Sequence, residues 1–158
     1  MRRALVITAS DGVDRGVRED TSGAGIGQRL EALGFEVQRA VLPDEQAALT
    51  DVLRQSAASH DLIVTTGGTG LTPRDVTPQA TRDAIDYEVP GMAEAMRAAG
   101  RAVTPFADLS RGVVGVVGRT LVVNLPGSPK GALESLAALE PVLDHALETL
   151  AGPYDHDR

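Results

Sequence analysis

A short apolar run, Leu62 to Thr66, leads directly into the glycine-rich segment Gly67 to Gly70. An apolar, β-branched run of this length flanked by glycines is typical of a parallel strand buried on both faces. Because glycine has no Cβ, several backbone N–H groups of such a loop can point at one anion. Thr77 before Pro78 is a helix-start signal, and a helix N-terminus adds partial positive charge. The stretch therefore predicts a strand–loop–helix anion site with Asp75 beside it.

Other interpretations of this stretch stay open on the residues alone. Glycine-rich strand-to-helix turns also occur in α/β proteins without any ligand. Thr72 and Asp75 have the spacing of a capping box, so Asp75 could simply satisfy a helix end. Two nucleotide motifs are excluded. No Gly-Lys-Ser/Thr closes the loop as in a Walker A motif, and Pro73 stands where a dinucleotide fingerprint has its third glycine.

The length of 158 residues favours one domain, residues 1–158, and the low aromatic content of 3% predicts a core of Val, Leu, Ile and Ala. The net charge of −7 argues against general nucleic-acid or anionic-membrane binding, since both need a positive field. An anionic ligand would have to be held by local donors rather than by overall charge.

The absence of cysteine excludes disulfides, thiolate metal sites and cysteine nucleophiles. The histidines, His60, His145 and His156, lack metal-ligand spacing, so we interpret them as surface or helix-end residues. The apolar run from Ala4 to Ala9 is too short for a signal peptide, and no run approaches the roughly 20 residues of a membrane span. These features predict a cytoplasmic protein.

Strand and helix patterns alternate along the chain, which predicts a three-layer α/β/α sandwich with a mostly parallel sheet. Gly118-Arg119 is a two-residue hairpin loop, so one strand should be antiparallel. We predict a long polar loop at 10–23, an irregular segment or short helical turn at 104–109, and a loose tail at 154–158. The predicted strands are 4–9, 35–42, 62–66, 113–117 and 120–125, and the predicted helices are about 23–33, 45–59, 78–87, 91–99 and 129–150.

Polar segments follow the predicted parallel strands, and the carboxyl ends of such strands share one edge of the sheet, where ligands bind. The segments are Ser10-Asp11, Pro43-Asp44, 67–75 and 124–130. Glycine, threonine and serine donors in the last two suit phosphate oxygens, and Arg74 and Arg111 could contact phosphates. Carboxylates beside a phosphate repel it unless a cation such as Mg²⁺ lies between them. This favours phosphoryl or nucleotidyl transfer, although Asp44 could equally be a structural N-cap.

The chain resembles the molybdenum-cofactor biosynthesis proteins of the Mog/MoaB type, which include the G domains of gephyrin and the plant Cnx protein. The resemblance covers nearly the whole chain, because the motifs occur in the family's order. They are Ser10-Asp11, Asp20-Thr21-Ser22-Gly23, Pro43-Asp44-Glu45, Thr66-Gly67-Gly68-Thr69-Gly70, Pro73-Arg74-Asp75-Val76-Thr77-Pro78, Leu109-Ser110-Arg111-Gly112 and Asn124-Leu125-Pro126-Gly127-Ser128-Pro129.

This resemblance implies a molybdopterin adenylyltransferase, in which molybdopterin and ATP give adenylyl-molybdopterin and pyrophosphate with Mg²⁺. It implies a homotrimer and a downstream molybdenum insertase as partner. Asp44 and Asp75 become the catalytic and metal-associated carboxylates. The implied substrate-binding residues are Ser10, Asp11, Thr66, Gly67, Gly68, Thr69, Gly70, Ser110, Arg111, Pro126, Gly127 and Ser128. Two alternatives remain: a sibling branch that binds the pterin without adenylylating it, and a non-catalytic trimeric scaffold.

Overall fold

The structure is a computed structural model that describes residues 1–153. The predicted loose tail, 154–158, lies outside the described residues. The strands are Arg3–Ala9 (β1), Glu36–Leu42 (β2), Leu62–Thr66 (β3), Tyr87–Glu88 (β4), Val114–Val117 (β5) and Thr120–Leu125 (β6). The helices are Asp11–Asp14 (α1), Thr21–Ala32 (α2), Gln46–Ser56 (α3), Thr77–Ala84 (α4), Pro90–Arg101 (α5) and Pro129–Ala151 (α6), with a 3₁₀ helix at Pro105–Leu109.

The strands form one sheet in the order β2-β1-β3-β6-β5-β4. The first four strands in that order are parallel, and β5 runs antiparallel to both of its neighbours. The predicted mostly parallel sheet with one antiparallel strand is therefore confirmed. Because β1, β2, β3 and β6 are parallel neighbours, their carboxyl ends all lie at one edge of the sheet.

Two apolar clusters cover the two faces of the sheet. On one face, Val6 and Val64 belong to a cluster with Ile26 of α2 and Leu136 of α6. On the other face, Ile7 and Ile63 cluster with Leu49 and Leu53 of α3 and Ala80 of α4. Successive side chains of a strand point to opposite faces, so each buried parallel strand contributes to both clusters. The predicted three-layer arrangement is confirmed.

The structure corrects the prediction for 78–87, because α4 ends at Ala84 and Tyr87–Glu88 forms the edge strand β4. The backbone N–H groups of Asp86 and Val89 donate to the carbonyls of Val116 and Val114 at 2.7 Å each. Both β4 side chains are exposed, so this two-residue strand leaves no alternating apolar pattern in the sequence.

The predicted polar loop at 10–23 is also corrected, because it contains the four-residue helix α1 and the start of α2. Ser10 caps α1 by accepting from the Val13 N–H, and Asp20 caps α2 by accepting from the Gly23 N–H. A four-residue helix is too short to show a 3.6-residue period, which is why the pattern did not predict it. Among residues 1–153, no helix has the length and apolarity needed to cross a membrane.

Candidate active site

The glycine loop after β3 adopts a backbone that only glycine tolerates easily. Gly67 and Gly68 have φ angles of 95° and 69°. A Cβ on Gly67 would lie 2.4 Å from the backbone oxygen of Ala9, and a Cβ on Gly68 would lie 2.3 Å from the Thr77 hydroxyl. The loop therefore passes close to the ends of β1 and α4, and its glycines are required by both space and conformation.

A second loop, after β6, lies against the glycine loop. The Thr66 hydroxyl donates to the carbonyl oxygen of Pro126 at 2.7 Å, and it also lies 2.8 Å from the Ser22 hydroxyl. A Cβ on Gly127 would lie 3.3 Å from the Gly67 Cα, so the two backbones nearly touch. Ser128 then caps α6 by accepting from the Gly131 N–H, as predicted. Thr66 is buried, joins the two loops and lies in the lining of the larger cavity at this edge, so its predicted contact with a substrate stays a prediction.

The loops that follow β1 and β2 are joined by a reciprocal pair of hydrogen bonds. The Asp11 N–H donates to Asp44 Oδ2 and the Asp44 N–H donates to Asp11 Oδ1, both at 3.0 Å. Arg74 donates to both carboxylate oxygens of Asp11 at 2.9 and 3.0 Å. The Asp44 N–H and the Arg74 guanidinium lower the pKa of Asp11 against a smaller opposing effect of burial. Asp11 and Arg74 thus hold Asp44 in place beside the glycine loop.

Asp44 is not a helix cap, because the N-cap of α3 is Glu45 and no side chain caps that helix. Burial raises the pKa of the Asp44 carboxyl. The Asp11 N–H opposes this effect, and the charges of Asp11 and Asp75 add to it. Asp44 Oδ1 and Thr77 Oγ1 are buried and have no hydrogen-bond partner among residues 1–153, and both lie near the position that a Cβ on Gly68 would take. A buried oxygen without a donor points to a missing ligand, and a cation satisfies a carboxylate in this position.

Asp75 makes the contacts of the suggested capping box, but not at a helix end. One of its oxygens, Oδ2, accepts from the N–H and the hydroxyl of Thr72 at 2.9 and 2.8 Å. The helix α4 begins two residues later, with Val76 as an N-cap that forms no side-chain bond. Asp75 therefore closes a turn with Oδ2, and Oδ1 is left for a ligand.

The donor set fits Mg²⁺ in one particular way. Within residues 1–153, no three His, Asp or Glu side chains are grouped as a complete metal site. The unpartnered oxygens of Asp44 and Asp75 offer two carboxylate ligands, and Mg²⁺ is commonly held by one or two carboxylates together with substrate phosphates. The residues present therefore fit a magnesium ion that arrives with a phosphate ligand rather than one held by protein alone.

Arg111 is placed behind the glycine loop. Its guanidinium donates to the carbonyl oxygens of Gly70 and Asp75 at 2.9 and 2.7 Å, and its backbone N–H donates to the carbonyl of Thr69 at 3.0 Å. It also donates to Gln79 Oε1 at 3.3 Å. These bonds engage three guanidinium donors and orient the loop backbone, and the predicted contact of Arg111 with a substrate stays a prediction.

Two cavities open at this edge of the sheet and share Ser128 on their rims. We call the first, of about 470 Å³, the polar cavity: Asp44, Asp75, Ser10, Gly67 and Gly68 line it. We call the second, of about 290 Å³, the apolar-walled cavity: Met96, Phe106, Leu109, Thr69, Gly70 and Ser110 line it. The predicted substrate residues Pro126 and Gly127 lie on the apolar-walled and polar sides, respectively. The fold thus brings the sequence-predicted residues around two adjoining spaces, except that Asp11 and Arg111 are in the lining of neither.

Comparison with known proteins agrees with this arrangement. The family model described as "Probable molybdopterin binding domain" matches residues 5–145. The chain belongs to this family. The predicted resemblance to Mog/MoaB-type proteins is confirmed, and the family match includes every predicted site residue.

Individual similar proteins support the same family assignment. The molybdopterin adenylyltransferase of Helicobacter pylori strain J99 is 36% identical over 154 residues, which span 94% of this chain and 88% of the relative. The solved structure of the molybdopterin biosynthesis enzyme MoaB from Thermus thermophilus is 52% identical, with a TM-score of 0.88 over 98% of this chain and 100% of that chain. The Mog protein structure from Mycobacterium ulcerans is 42% identical, with a TM-score of 0.90 over 95% of this chain and 99% of that chain.

Sequence reasoning placed Asp20 in a family motif but assigned it no role in the site. In the structure, Asp20 lines the polar cavity and accepts from Thr8, the Gly23 N–H and Arg39 at 2.7, 3.0 and 2.7 Å. Burial acts to raise the pKa of Asp20, but these hydrogen bonds outweigh it and hold the pKa below its ordinary value. The signal available in the sequence was the Asp-x-x-Gly spacing of a helix cap, which says nothing about a cavity.

Proposed function

We propose that this protein adenylylates molybdopterin with Mg-ATP and releases pyrophosphate. The observation that carries the proposal is the pair of cavities joined at Ser128, with Asp44 and Asp75 on the polar side only. A transfer between two substrates requires two adjoining binding spaces, with the reacting groups at their junction. We assign the nucleotide phosphates to the polar cavity and the ring system of molybdopterin to the apolar-walled cavity.

The reaction follows from the groups at the junction. A terminal phosphate oxygen of molybdopterin attacks the α-phosphorus of ATP, a new P–O bond forms, and the bond to the β-phosphate bridging oxygen breaks. Pyrophosphate leaves with that electron pair, and the attacking phosphate needs no general base because it is already ionised. The N–H groups of 68–70 and the N-terminus of α6 at Ser128 orient the phosphates, while the Gly67 N–H donates to the carbonyl oxygen of Leu125 at 3.2 Å. The protein thus acts through positioning and charge rather than through covalent chemistry.

Asp44 and Asp75 would hold Mg²⁺ through the oxygens that lack a protein partner. When bound, the ion supplies positive charge that offsets the negative charge developing on the transferring phosphorus. Asp11 and Arg74 contribute indirectly, since their hydrogen bonds fix the position of Asp44. The proposed roles are therefore metal-associated catalysis for Asp44 and Asp75, and positioning for Asp11 and Arg74.

An assay of molybdopterin binding and pyrophosphate release separates this proposal from its two alternatives. Protein is incubated with ATP, Mg²⁺ and molybdopterin, and both molybdopterin binding and pyrophosphate release are measured on one sample. Catalytic release that requires all three components supports an adenylyltransferase. Tight pterin binding without pyrophosphate would support the sibling branch instead, and neither binding nor release would support a scaffold. The pair of carboxylates in the polar cavity, Asp44 and Asp75, favours the enzyme.

Gly68→Val should weaken binding of Mg-ATP or molybdopterin by at least about tenfold, because its Cβ would contact Thr77 Oγ1 at 2.3 Å and Asp44 Oδ1 at 3.3 Å. Isothermal titration measures the affinity. Gly118→Val is the matched control, since Gly118 has a similar φ of 60° and open space around its Cβ. Equal ligand affinity in the two folded variants would show that the glycine loop is only a turn.

We also expect the protein to be a homotrimer, which the family resemblance implies. Light scattering at micromolar concentration should report a mass of three chains, and a strict monomer would remove this expectation. The single domain spanning 1–158, the cytoplasmic location and the downstream molybdenum insertase stay predictions from the sequence.

A further inference from the structure

The apolar-walled cavity contains two ionisable side chains that the proposed reaction does not use. Within its lining, these are Arg97 on α5 and Glu134 on α6. The cavity volume of about 290 Å³ lies near the lower end of small-molecule sites, which run from roughly 300 to 1,000 Å³. Such sites are largely apolar, with a few polar groups that fix orientation and specificity. The two charges are therefore candidates for recognising the occupant.

Arg97 is a fixed part of the cavity wall. Its Nη1 donates to the carbonyl oxygens of Ser110 and Gly112 at 3.3 and 3.1 Å. These bonds tie α5 to the segment that carries Ser110, and they place a guanidinium charge beside the cavity. The lining therefore carries one positive and one negative side chain, whose formal charges sum to zero.

Glu134 has little to satisfy its carboxylate within the described residues. Its ion-pair partner is Lys130, at 3.8 Å between Nζ and Oε1, and the Lys130 side chain is 80% exposed. A long pair with an exposed lysine one helical turn away contributes very little. The Glu134 side chain is only 32% exposed, and its carboxylate oxygens reach solvent rather than a strong protein donor. A ligand that brings two N–H donors could take the place of that solvent.

We infer that Glu134 is the specificity-determining residue for the pterin ring, an inference that rests on the proposed function. The 2-amino-4-oxo pyrimidine edge of a pterin presents the 2-amino group and the N3–H side by side. A carboxylate accepts both in a bidentate pair, and Met96, Phe106 and Leu109 line the space that the ring would occupy. Adenine instead places one amino donor beside a ring-nitrogen acceptor, which a carboxylate repels. Glu134 therefore assigns this cavity to the pterin and not to the adenine of ATP.

Glu134→Gln tests the inference, because the glutamine amide keeps one acceptor and turns a donor toward the ligand's donors. We expect molybdopterin affinity to fall by about tenfold to a hundredfold, while ATP affinity stays unchanged. The chain contains no tryptophan, so the fluorescence of a bound pterin can be followed against a weak protein background. Glu148→Gln is the matched control, since Glu148 lies on the same helix, is 64% exposed and is not part of the cavity lining.

A second measurement separates recognition from a structural effect. The wild-type protein should prefer 6-hydroxymethylpterin to 6-hydroxymethyllumazine, whose 2-oxo group would face the Glu134 carboxylate. In Glu134→Gln this preference should shrink or invert, because the amide N–H₂ can donate to the 2-oxo group. A change in folding or packing would lower both affinities together and leave their ratio as it is.

The outcomes distinguish this inference from the function on which it rests. A wild-type protein that binds no pterin at all would overturn the proposed function. If the wild type and Glu134→Gln bind molybdopterin with equal affinity and have the same ratio of pterin to lumazine affinity, only the role of Glu134 is overturned. Loss of ATP affinity in Glu134→Gln with unchanged pterin affinity would assign the cavity to adenine and overturn it as well.

Discussion

Asp75→Asn should remove almost all adenylyl transfer while molybdopterin still binds. The substitution keeps the shape of the side chain and an oxygen that can accept from Thr72, which Asp75 Oδ2 contacts at 2.9 and 2.8 Å. It removes the negative charge proposed to hold Mg²⁺. Poor metal placement costs several kcal/mol in the transition state, and each 1.4 kcal/mol is about tenfold, so the rate should fall by about a thousandfold. Pyrophosphate release and thermal unfolding are measured on one sample.

Asp86→Asn is the control for Asp75→Asn. Asp86 also accepts a backbone N–H with its carboxylate, from Gly118 at 2.8 Å, but it is outside the lining of both cavities. If Asp75 only closed a turn, its variant would behave like the control, with stability lower by about 1 kcal/mol and activity per folded molecule nearly intact. That result would contradict a catalytic role for Asp75.

Asp44→Asn should also lower adenylyl transfer by about a thousandfold, but with stability equal to or higher than that of the wild type at neutral pH. Burial and the charges of Asp11 and Asp75 raise the pKa of Asp44, so its ionised form is unfavourable in the folded protein. Asparagine is neutral and can still accept from the Asp11 N–H through its carbonyl oxygen. In the wild type, the charge that we propose for holding Mg²⁺ would therefore lower the stability of the folded protein.

The pH dependence gives the sign of this effect. When a carboxyl has a higher pKa in the folded than in the unfolded protein, the free energy of unfolding falls as the pH rises. For Asp44 this fall begins near the ordinary pKa of 3.8 and ends above the raised pKa. Urea unfolding should therefore show that the free energy of unfolding of Asp44→Asn rises relative to that of the wild type over this pH interval. At higher pH the difference between the two proteins should stay constant. Asp51→Asn, at an exposed position on α3, is the control. A variant that is clearly less stable and fully active would show that Asp44 is only structural.

The meeting of four polar segments could be predicted from the sequence, because parallel strands end at a common edge. The contact between Asp11 and Asp44 could not, since it depends on the strand register. Ala9 lies opposite Leu42 in the β1–β2 pairing, and this places the two aspartates, each two residues further on, side by side. A shift of register would separate them, and nothing in the local residue pattern fixes that register.

The loop contacts of Arg111 were also beyond sequence reasoning. Its position in a family motif predicts substrate contact, which stays a prediction, and the structure adds guanidinium bonds to the carbonyl oxygens of Gly70 and Asp75. Those bonds depend on how the chain folds around the loop, which the local sequence does not indicate. Glu134 is a similar case. A glutamate on a helix can face solvent or a cavity, and for Glu134 this depends on how α5 packs against α6.

Transfer of label from ATP to molybdopterin tests the central proposal most directly. Wild-type protein is incubated with Mg²⁺, molybdopterin and ATP labelled at the α-phosphate, and a parallel sample contains ATP labelled at the γ-phosphate. We expect the α-label to appear in the pterin product and the γ-label to appear in pyrophosphate, in equal amounts. A protein that binds molybdopterin but transfers no α-label, or that transfers the γ-label to the pterin, would contradict adenylylation as the function of this site.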